Sequence, residues 1–521
     1  MADLGLYWRT IKHLKLVQIT NRLKRRFVGK HVSNAPAPNV RHNPQHFAAP
    51  IARQQSILDN NHFLFLNQQN SITNPQHWNH PEIGKLWLYN LHYFEGLLNP
   101  NTDTNIKQSL IRRWIAENPV ASGNGWEPYP NSLRISNWIK WSLTGHPLDQ
   151  ETLDNLAQQI RYLVKTLEFH LLGNHLFANA KALVLAGCYF EGDEAKGWLN
   201  KGLAILKTEM SEQFLSDGAH FELSTTYHSL LLEDVLDMIN IMRAFDIPYP
   251  NQWNHVADQG LKWLAIMTRP DGLPPLFNDA AYGITPRFDQ IQAYAHNLGF
   301  EVSVYEKSTL TLLDDSGYFR FDGSAYSFIG DAGQPGPTYI PGHAHCDLSS
   351  FELFAHARPV IVDTGTSTYE VGERRTIERS TAAHNVVQIA DGEQSEIWGG
   401  FRLADRAIIV KRETTENSLH LKYQDYQGHN ISRDFFFSAD DITVKDSVTC
   451  DQVATARFHL APGITPKKTE TGFQIGDMRI DFKNALSFDI EDYHYAPEFN
   501  KLIPSTVIIV TFQKKLETTI R

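Results

Sequence analysis

Cysteine is scarce: Cys188, Cys346 and Cys450 are the only three in 521 residues, and no two stand in CxxC spacing. Three scattered thiols exclude a disulfide-stapled scaffold, because one must stay unpaired, and they fit a reducing compartment best. Long apolar runs are missing too. No stretch reaches the roughly 18–20 apolar residues of a membrane-spanning helix. The opening MADLGLYWRTIKHLKLVQITNRLKRRFVGK lacks the apolar core and small-residue cleavage site of a secretory leader. Together these absences lead us to expect a cytoplasmic protein, with a cysteine-poor periplasmic one as the alternative. Positive charge is in deficit, with a formal net charge of −10, so nucleic acid is not expected as a partner. The HExxH, Walker A, Rossmann and GxSxG patterns are all absent.

What is present is an ordinary globular composition, 42% hydrophobic and 20% charged, in a chain long enough for two or more domains. The 11% aromatic content suits a sugar cleft and a large helical core equally well. Charge is uneven: residues 1–30 carry a net +7, from Arg9, Lys12, Lys15, Arg22, Lys24, Arg25, Arg26 and Lys30 against Asp3. With Leu14, Val17, Ile19 and Leu23 on one side, this segment reads as a basic helix. Docking on the main body is the favoured expectation, and peripheral contact with an anionic membrane surface is the other.

Residues 31–50, rich in Pro and Asn, read as a linker or extended strap. From about 105 to 300, apolar residues recur at three- and four-residue intervals, predicting helices over 132–143, 151–172, 175–190, 194–214, 225–245 and 254–268. Such helix pairs build a bundle, a solenoid or a closed toroid, and periodicity does not choose among them. Beyond about 308, short β-rich segments such as SGYFRFDG, HNVVQIADG and STVIIVTFQ alternate with Asp-, Gly- and Asn-containing turns, predicting an antiparallel sandwich. The expected division is 1–50, 51–305 and 306–521.

Chemistry-bearing residues gather in three places. In GNHLFANAKALVLAG, Asn174 and His175 stand at a helix start, where free backbone N–H groups suit an anion, although Asn174 also reads as a simple N-cap. In DGAHFELSTTYH, Glu222, Tyr227 and His228 surround a helix start at Ser224 or Thr225, where Tyr227 reads equally well as a capped core aromatic. Residues 341–402 hold His343, His345, Asp347, Asp363 and His384, the imidazole and carboxylate mix of a zinc site, with His-x-His on one face of an extended segment. Histidines that cap turns give the same pattern.

Together LWLYNLHYF, GNHLFANAKALVLAG, DGAHFELSTTYH, GHAHCDLSSFELF, VDTGTSTY, RSTAAHNVV, EQSEIWGGFR and RFHLAPG, in this order from about 86 to 463, resemble the bacterial heparinase II/III family. The basic opening helix resembles a subset associated with surface-polysaccharide production. The resemblance implies an α+β multidomain chain, an N-terminal (α/α) toroid followed by a C-terminal antiparallel β-sandwich, that cleaves a uronic-acid-containing polysaccharide by β-elimination. It implies Tyr227 as the catalytic tyrosine, Asn174 and His175 as carboxylate-neutralising and general-base residues, and His343 as the second active-site histidine. It further implies His345, Asp363 and His384 as ligands of a supporting zinc ion, with Asp347, Arg379 and Asn385 orienting them. Arg134, Glu222 and His228 are expected to contact substrate. His228 and His343 are expected to favour the phenolate of Tyr227, whose ordinary pKa is about 10. Two other readings stay open. One is a glycoside hydrolase, pairing Glu222 with Asp279 or Asp217. The other is a non-catalytic glycan-binding component of a polysaccharide assembly system.

Overall fold

The computed structural model describes residues 4–27, 29, 31–42, 44–302 and 309–521. Two short helices, Leu4–Ile11 and Leu16–Lys24, form a hairpin where one basic helix was expected. The break falls at residues 12–15, and Gln18 caps the second helix by accepting from the Lys15 N–H (2.9 Å). The 31–50 segment runs as a strap along the helical body. Val40 bridges to Phe190, and the Ala48 backbone exchanges two hydrogen bonds with Asn240 (3.0 and 2.9 Å).

Each predicted helix forms, and side-chain caps set several starts. Asp103 caps Thr104–Glu117, Asp149 caps Gln150–Thr166, and Ser224 caps Thr225–Ala244. Pro128 opens Pro128–Leu143, where the lost N–H costs nothing. The innermost helix is Gly173–Tyr189, buried almost throughout, packed against Pro128–Leu143, Asp193–Gln213 and Thr225–Ala244. The helix predicted over 151–172 stops at Thr166, and residues 169–171 form a turn before Gly173 begins the next helix. The last helix of the helical half ends at Asn297, and the first strand of the C-terminal sheets starts at Thr311. The boundary expected between 305 and 306 lies outside the described residues.

The C-terminal part holds a five-stranded antiparallel sheet, with Thr311–Leu312 at one edge and Arg358–Ile361 at the other, and a ten-stranded antiparallel sheet. Asn430–Phe437 alternates buried and part-buried residues along its length, as a half-exposed strand should. Phe319, Phe328, Phe351, Phe435 and Phe458 fill the space between the sheets. Tyr318–Asp322 is buried on both faces. Phe319 and Phe321 point into the sandwich core, whereas Tyr318 joins the helical core and Arg320 donates to the Ile266 carbonyl (2.9 Å). The smaller sheet is therefore shared by both domains, which holds the loops of one against the helix starts of the other. All three cysteines are free. Among the described residues no helix is long and apolar enough to cross a membrane.

Candidate active site

A cavity of about 910 Å³ opens between the helical domain and the sandwich, and the N-terminal hairpin lies along it. Asn174, His175, Tyr227 and His343 all line it, so the four residues expected to do chemistry converge. Tyr227 sits in the first turn of its helix, and Ser224, which caps that turn, also donates to the Asp279 carbonyl (2.7 Å). The phenol stacks on the His343 ring, with centroids 3.8 Å apart and planes at 28°, and its hydroxyl lies 3.2 Å from that of Tyr369. Burial, followed by the neighbouring Tyr369, raises the Tyr227 pKa well above its ordinary value. The expected phenolate is not favoured: Tyr227 is held as a neutral phenol, and hence as a proton donor.

His175 is oriented differently. Its ring packs against Tyr129, with centroids 4.5 Å apart, and Nδ1 meets the buried carboxylate of Glu168 at 3.2 Å, leaving Nε2 free for the cavity. Burial disfavours the charged ring, but the charge and hydrogen bond of Glu168 outweigh it and raise the His175 pKa. The side chain keeps 31% exposure, so solvent moderates the shift.

Asn174 is the second residue of the buried helix, yet its donors do not point at an empty anion site. Its backbone N–H donates to Glu222 Oε1 (2.9 Å), and its Nδ2 lies 3.1 and 3.0 Å from the two Glu222 oxygens. The anion at this helix N-terminus is the protein's own. Glu222 also lies 3.3 Å from His343 Nε2, while His343 Nδ1 meets Asp279 at 2.9 Å. Asp279 further accepts two bonds from Arg375 and one from His345 Nε2 (2.8 Å), and Arg375 first among these partners holds its carboxyl well below the usual range against the effect of burial. Asn278 beside it ties the Leu223 carbonyl (3.0 Å) to the His345 N–H (2.9 Å). The Asn278–Asp279 strap thus registers the helix start carrying Tyr227 against the loop carrying His343 and His345.

Three expected substrate contacts are not found at the cavity wall. Arg134 is fully buried over the Trp114 ring (3.8 Å) and donates to Gln159, Asn131 and the His92 carbonyl. His228 is enclosed beside Trp263, accepting from the His220 N–H and donating to the Gly260 carbonyl, with its pKa lowered by burial to about 3. Glu222 has no exposure and braces Asn174 and His343 without touching Tyr227. The cationic groups that do face the cavity are Arg22, Lys85, Arg402 and Arg406.

Of the expected metal ligands, His384 Nδ1 lies 2.9 Å from Asp363, and the His384 and His345 rings are 5.3 Å apart. Among the described residues no group of three or more His, Cys, Asp or Glu side chains is arranged as a cation site. Two buried nitrogens here have no partner, however: His345 Nδ1 and His384 Nε2. Buried polar atoms rarely go unsatisfied, and two imidazole nitrogens beside a carboxylate are a zinc-compatible donor set. Arg379 and Asn385 hold backbone carbonyls around them, those of Ala344, Phe351 and Val362, rather than the imidazoles; Asp347 accepts from the Asn278 N–H.

The hydrolytic alternative finds little here. Glu222 is enclosed, Asp279 is saturated by Arg375, His343 and His345, and Asp217 accepts from Ser316 and the Ala219 N–H. Sequence reasoning missed Tyr129, Glu168, Arg375 and Tyr369, and gave Asp279 only a hydrolytic role. Arg402 was within reach, since it ends the EQSEIWGGFR motif.

Known proteins share this architecture. The structure resembles crystallised heparinase III with a TM-score of 0.71 at 16% identity, covering 96% of this chain and 89% of that one. It resembles heparan sulfate lyase HepC from Pedobacter heparinus with a TM-score of 0.58 at 18% identity, covering 97% and 87%. Chondroitin AC lyase from Streptomyces coelicolor A3 shares the fold at a TM-score of 0.55 and 10% identity, covering 98% and 79%. In sequence, a heparin-sulfate lyase of Pedobacter heparinus is 25% identical over 313 residues, 53% of this chain and 46% of that protein. One of Bacteroides thetaiotaomicron is 22% identical over 388 residues, 64% and 54%. The chain thus matches about half the length of these curated relatives. The heparinase II/III N-terminus model matches residues 112–296, and the heparinase II/III-like C-terminal model matches 306–521. With both halves matched in order, and the helical domain and sandwich meeting at a shared cavity, the chain belongs to the heparinase II/III-like family.

Proposed function

We propose that this protein is a polysaccharide lyase that cleaves an anionic, uronic-acid-containing glycan by β-elimination. The observation that carries this reading is the convergence on one cavity of a neutral, half-buried phenol, Tyr227, and an imidazole, His175, oriented by a carboxylate. The curated relatives named as heparin-sulfate lyases add support from sequence.

Elimination removes the C5 proton of a uronate and expels the oxygen on C4. His175, with Nδ1 engaged by Glu168, takes the C5 proton on Nε2. The electrons form the C4–C5 double bond as the C4–O4 bond breaks, and the Tyr227 phenol gives its proton to the departing O4. General base and general acid of this kind are each worth roughly 10²–10⁴-fold. Negative charge grows on the uronate carboxylate as the proton leaves, and Arg402 on the cavity wall stabilises it, the Asn174 donors being taken by Glu222. This assignment suits a uronate whose C5 proton and O4 lie on opposite ring faces. For the epimer with both on one face, Tyr227 must first lose its proton, which its burial opposes.

Zinc is part of the proposal as a structural group held by His345, Asp363 and His384, supported by the two partnerless nitrogens. Its chemistry there is to fix three β-domain segments beneath the cavity. The test of the function is direct: incubate the protein with uronate polysaccharides and follow the ultraviolet absorbance of the unsaturated product. New reducing ends without absorbance would mean hydrolysis, and binding without either would mean a glycan-binding protein.

A further inference from the structure

The N-terminal hairpin has two faces that do different things. One is docked, and bridges both walls of the cavity. Arg9 donates to Glu396 (2.7 Å), Lys12 pairs with Asp405 (2.8 Å) and Trp398 donates to Thr10 (2.9 Å) on the sandwich side. On the helical side Lys15 pairs with Glu212, Arg25 meets His170, and Gln18 donates to the Leu171 carbonyl (3.3 Å). These contacts account for the inward face of both helices.

The outward face is apolar and uncovered. Of the twenty-one large apolar side chains exposed among the described residues, nine lie between Leu4 and Phe27. Leu4 (81% exposed) and Trp8 (69%) stand one turn apart on the first helix. Leu16 (75%), Ile19 and Leu23 follow helical spacing on the second, with Phe27 (87%) just beyond it. None of Leu4, Trp8, Leu16, Leu23 or Phe27 lines the cavity. Next to this stripe, Lys24 and Arg26 are exposed and meet no acid among the described residues. A patch this rich in large apolar groups on an otherwise ordinary surface marks an interaction site.

We infer that the outward face of the hairpin seats the protein on an anionic lipid surface, lying in the headgroup layer with Leu4, Trp8, Leu16, Leu23 and Phe27 inserted. The occupant follows from charge. Of the segment's positive charges, Arg9, Lys12 and Lys15 are offset by Glu396, Asp405 and Glu212, while Lys24, Arg25 and Arg26 keep this end positive on a chain of −10. A negatively charged surface is therefore attracted to this end and repelled by most of the rest, and a second copy would bring like charge against like. An aromatic and aliphatic stripe flanked by Lys and Arg is the pattern of an interfacial helix, and no helix among the described residues is apolar enough to cross the bilayer. Because the inward face stays docked on both walls, attachment holds the cavity mouth close to the bilayer. The inference is independent of the reaction proposed above.

The test uses the full chain and sedimentation with vesicles of phosphatidylcholine alone or mixed with phosphatidylglycerol. Binding to the mixed vesicles, weak on neutral ones and falling at least tenfold between low and high salt, is expected. The L4E/L16E/F27E variant, altered only at exposed positions, should keep wild-type thermal stability and lose that binding at least tenfold. Equal binding by this variant, or no binding of the wild type to mixed vesicles, overturns the inference. A concentration-dependent dimer that the variant abolishes, without vesicle binding, would assign the face to self-association instead.

Discussion

At the scale of single residues, Tyr227 and His175 divide the work by environment. Burial keeps the Tyr227 phenol protonated, and Glu168 raises the pKa of His175. Tyr227→Phe is therefore expected to lower kcat by about 10²–10⁴-fold while leaving the thermal midpoint unchanged. His175 must be neutral to act as a base, so kcat/KM should rise with pH through an inflection above the ordinary histidine value of about 6.5. Glu168→Gln removes the charge that raises it, and the inflection should move to lower pH. An inflection that stays put in that variant would remove His175 from the base role. The same shift has a stability consequence. A raised histidine pKa contributes stability that is fully present below about 6.5 and lost as pH climbs through the folded value.

At the scale of elements, the site depends on where helices and loops begin. Gly173 has φ +55°, and a Cβ there would stand 2.6 Å from Glu222 Oε1, the oxygen that accepts from Asn174. Gly173→Ala thus meets both a left-handed backbone and a filled space. It should cost about 1–3 kcal/mol in denaturant unfolding and displace Asn174. An unfolding midpoint equal to wild type would show that Glu222 is free to move aside. In the β-domain, His384→Ala leaves the buried Asp363 without its imidazole partner and removes one of the expected zinc donors. The variant should lose its metal by elemental analysis and unfold at lower temperature; full metal content would discard the ligand set. Elements of this kind are legible in sequence where a period repeats. The helices from Pro128 to Met267 follow three- and four-residue apolar spacing, and Asn430–Phe437 alternates. The hairpin break at residues 12–15 was not visible, because the docking partners Glu212, Glu396 and Asp405 come from far along the chain.

At the scale of the molecule, the cavity exists only because two domains share the five-stranded sheet. Asn174, His175 and Tyr227 come from helix starts of one domain, and His343 from a loop of the other. Their residue types and motifs were legible. Which way neighbouring polar groups face was not. Glu222 and His228 lie in the same motif as Tyr227, Arg134 lies on the helix predicted over 132–143, and all three look equally suited to bind sugar, yet each is spent on a buried partner: Asn174, the Gly260 carbonyl and Gln159. Conversely, Glu168 carries no motif signal, and Tyr369, which ends VDTGTSTY, gives no hint of its partner; only folding brings them to His175 and Tyr227. The central claim is that this shared cavity eliminates across a uronate, with Tyr227 as its proton donor. The measurement that tests it most directly is ultraviolet absorbance on a panel of uronate polysaccharides, with wild type and Tyr227→Phe side by side. The account predicts rising absorbance with the wild type on at least one glycan, and almost none with the folded variant. A folded Tyr227→Phe protein that forms unsaturated product at the wild-type rate would contradict it.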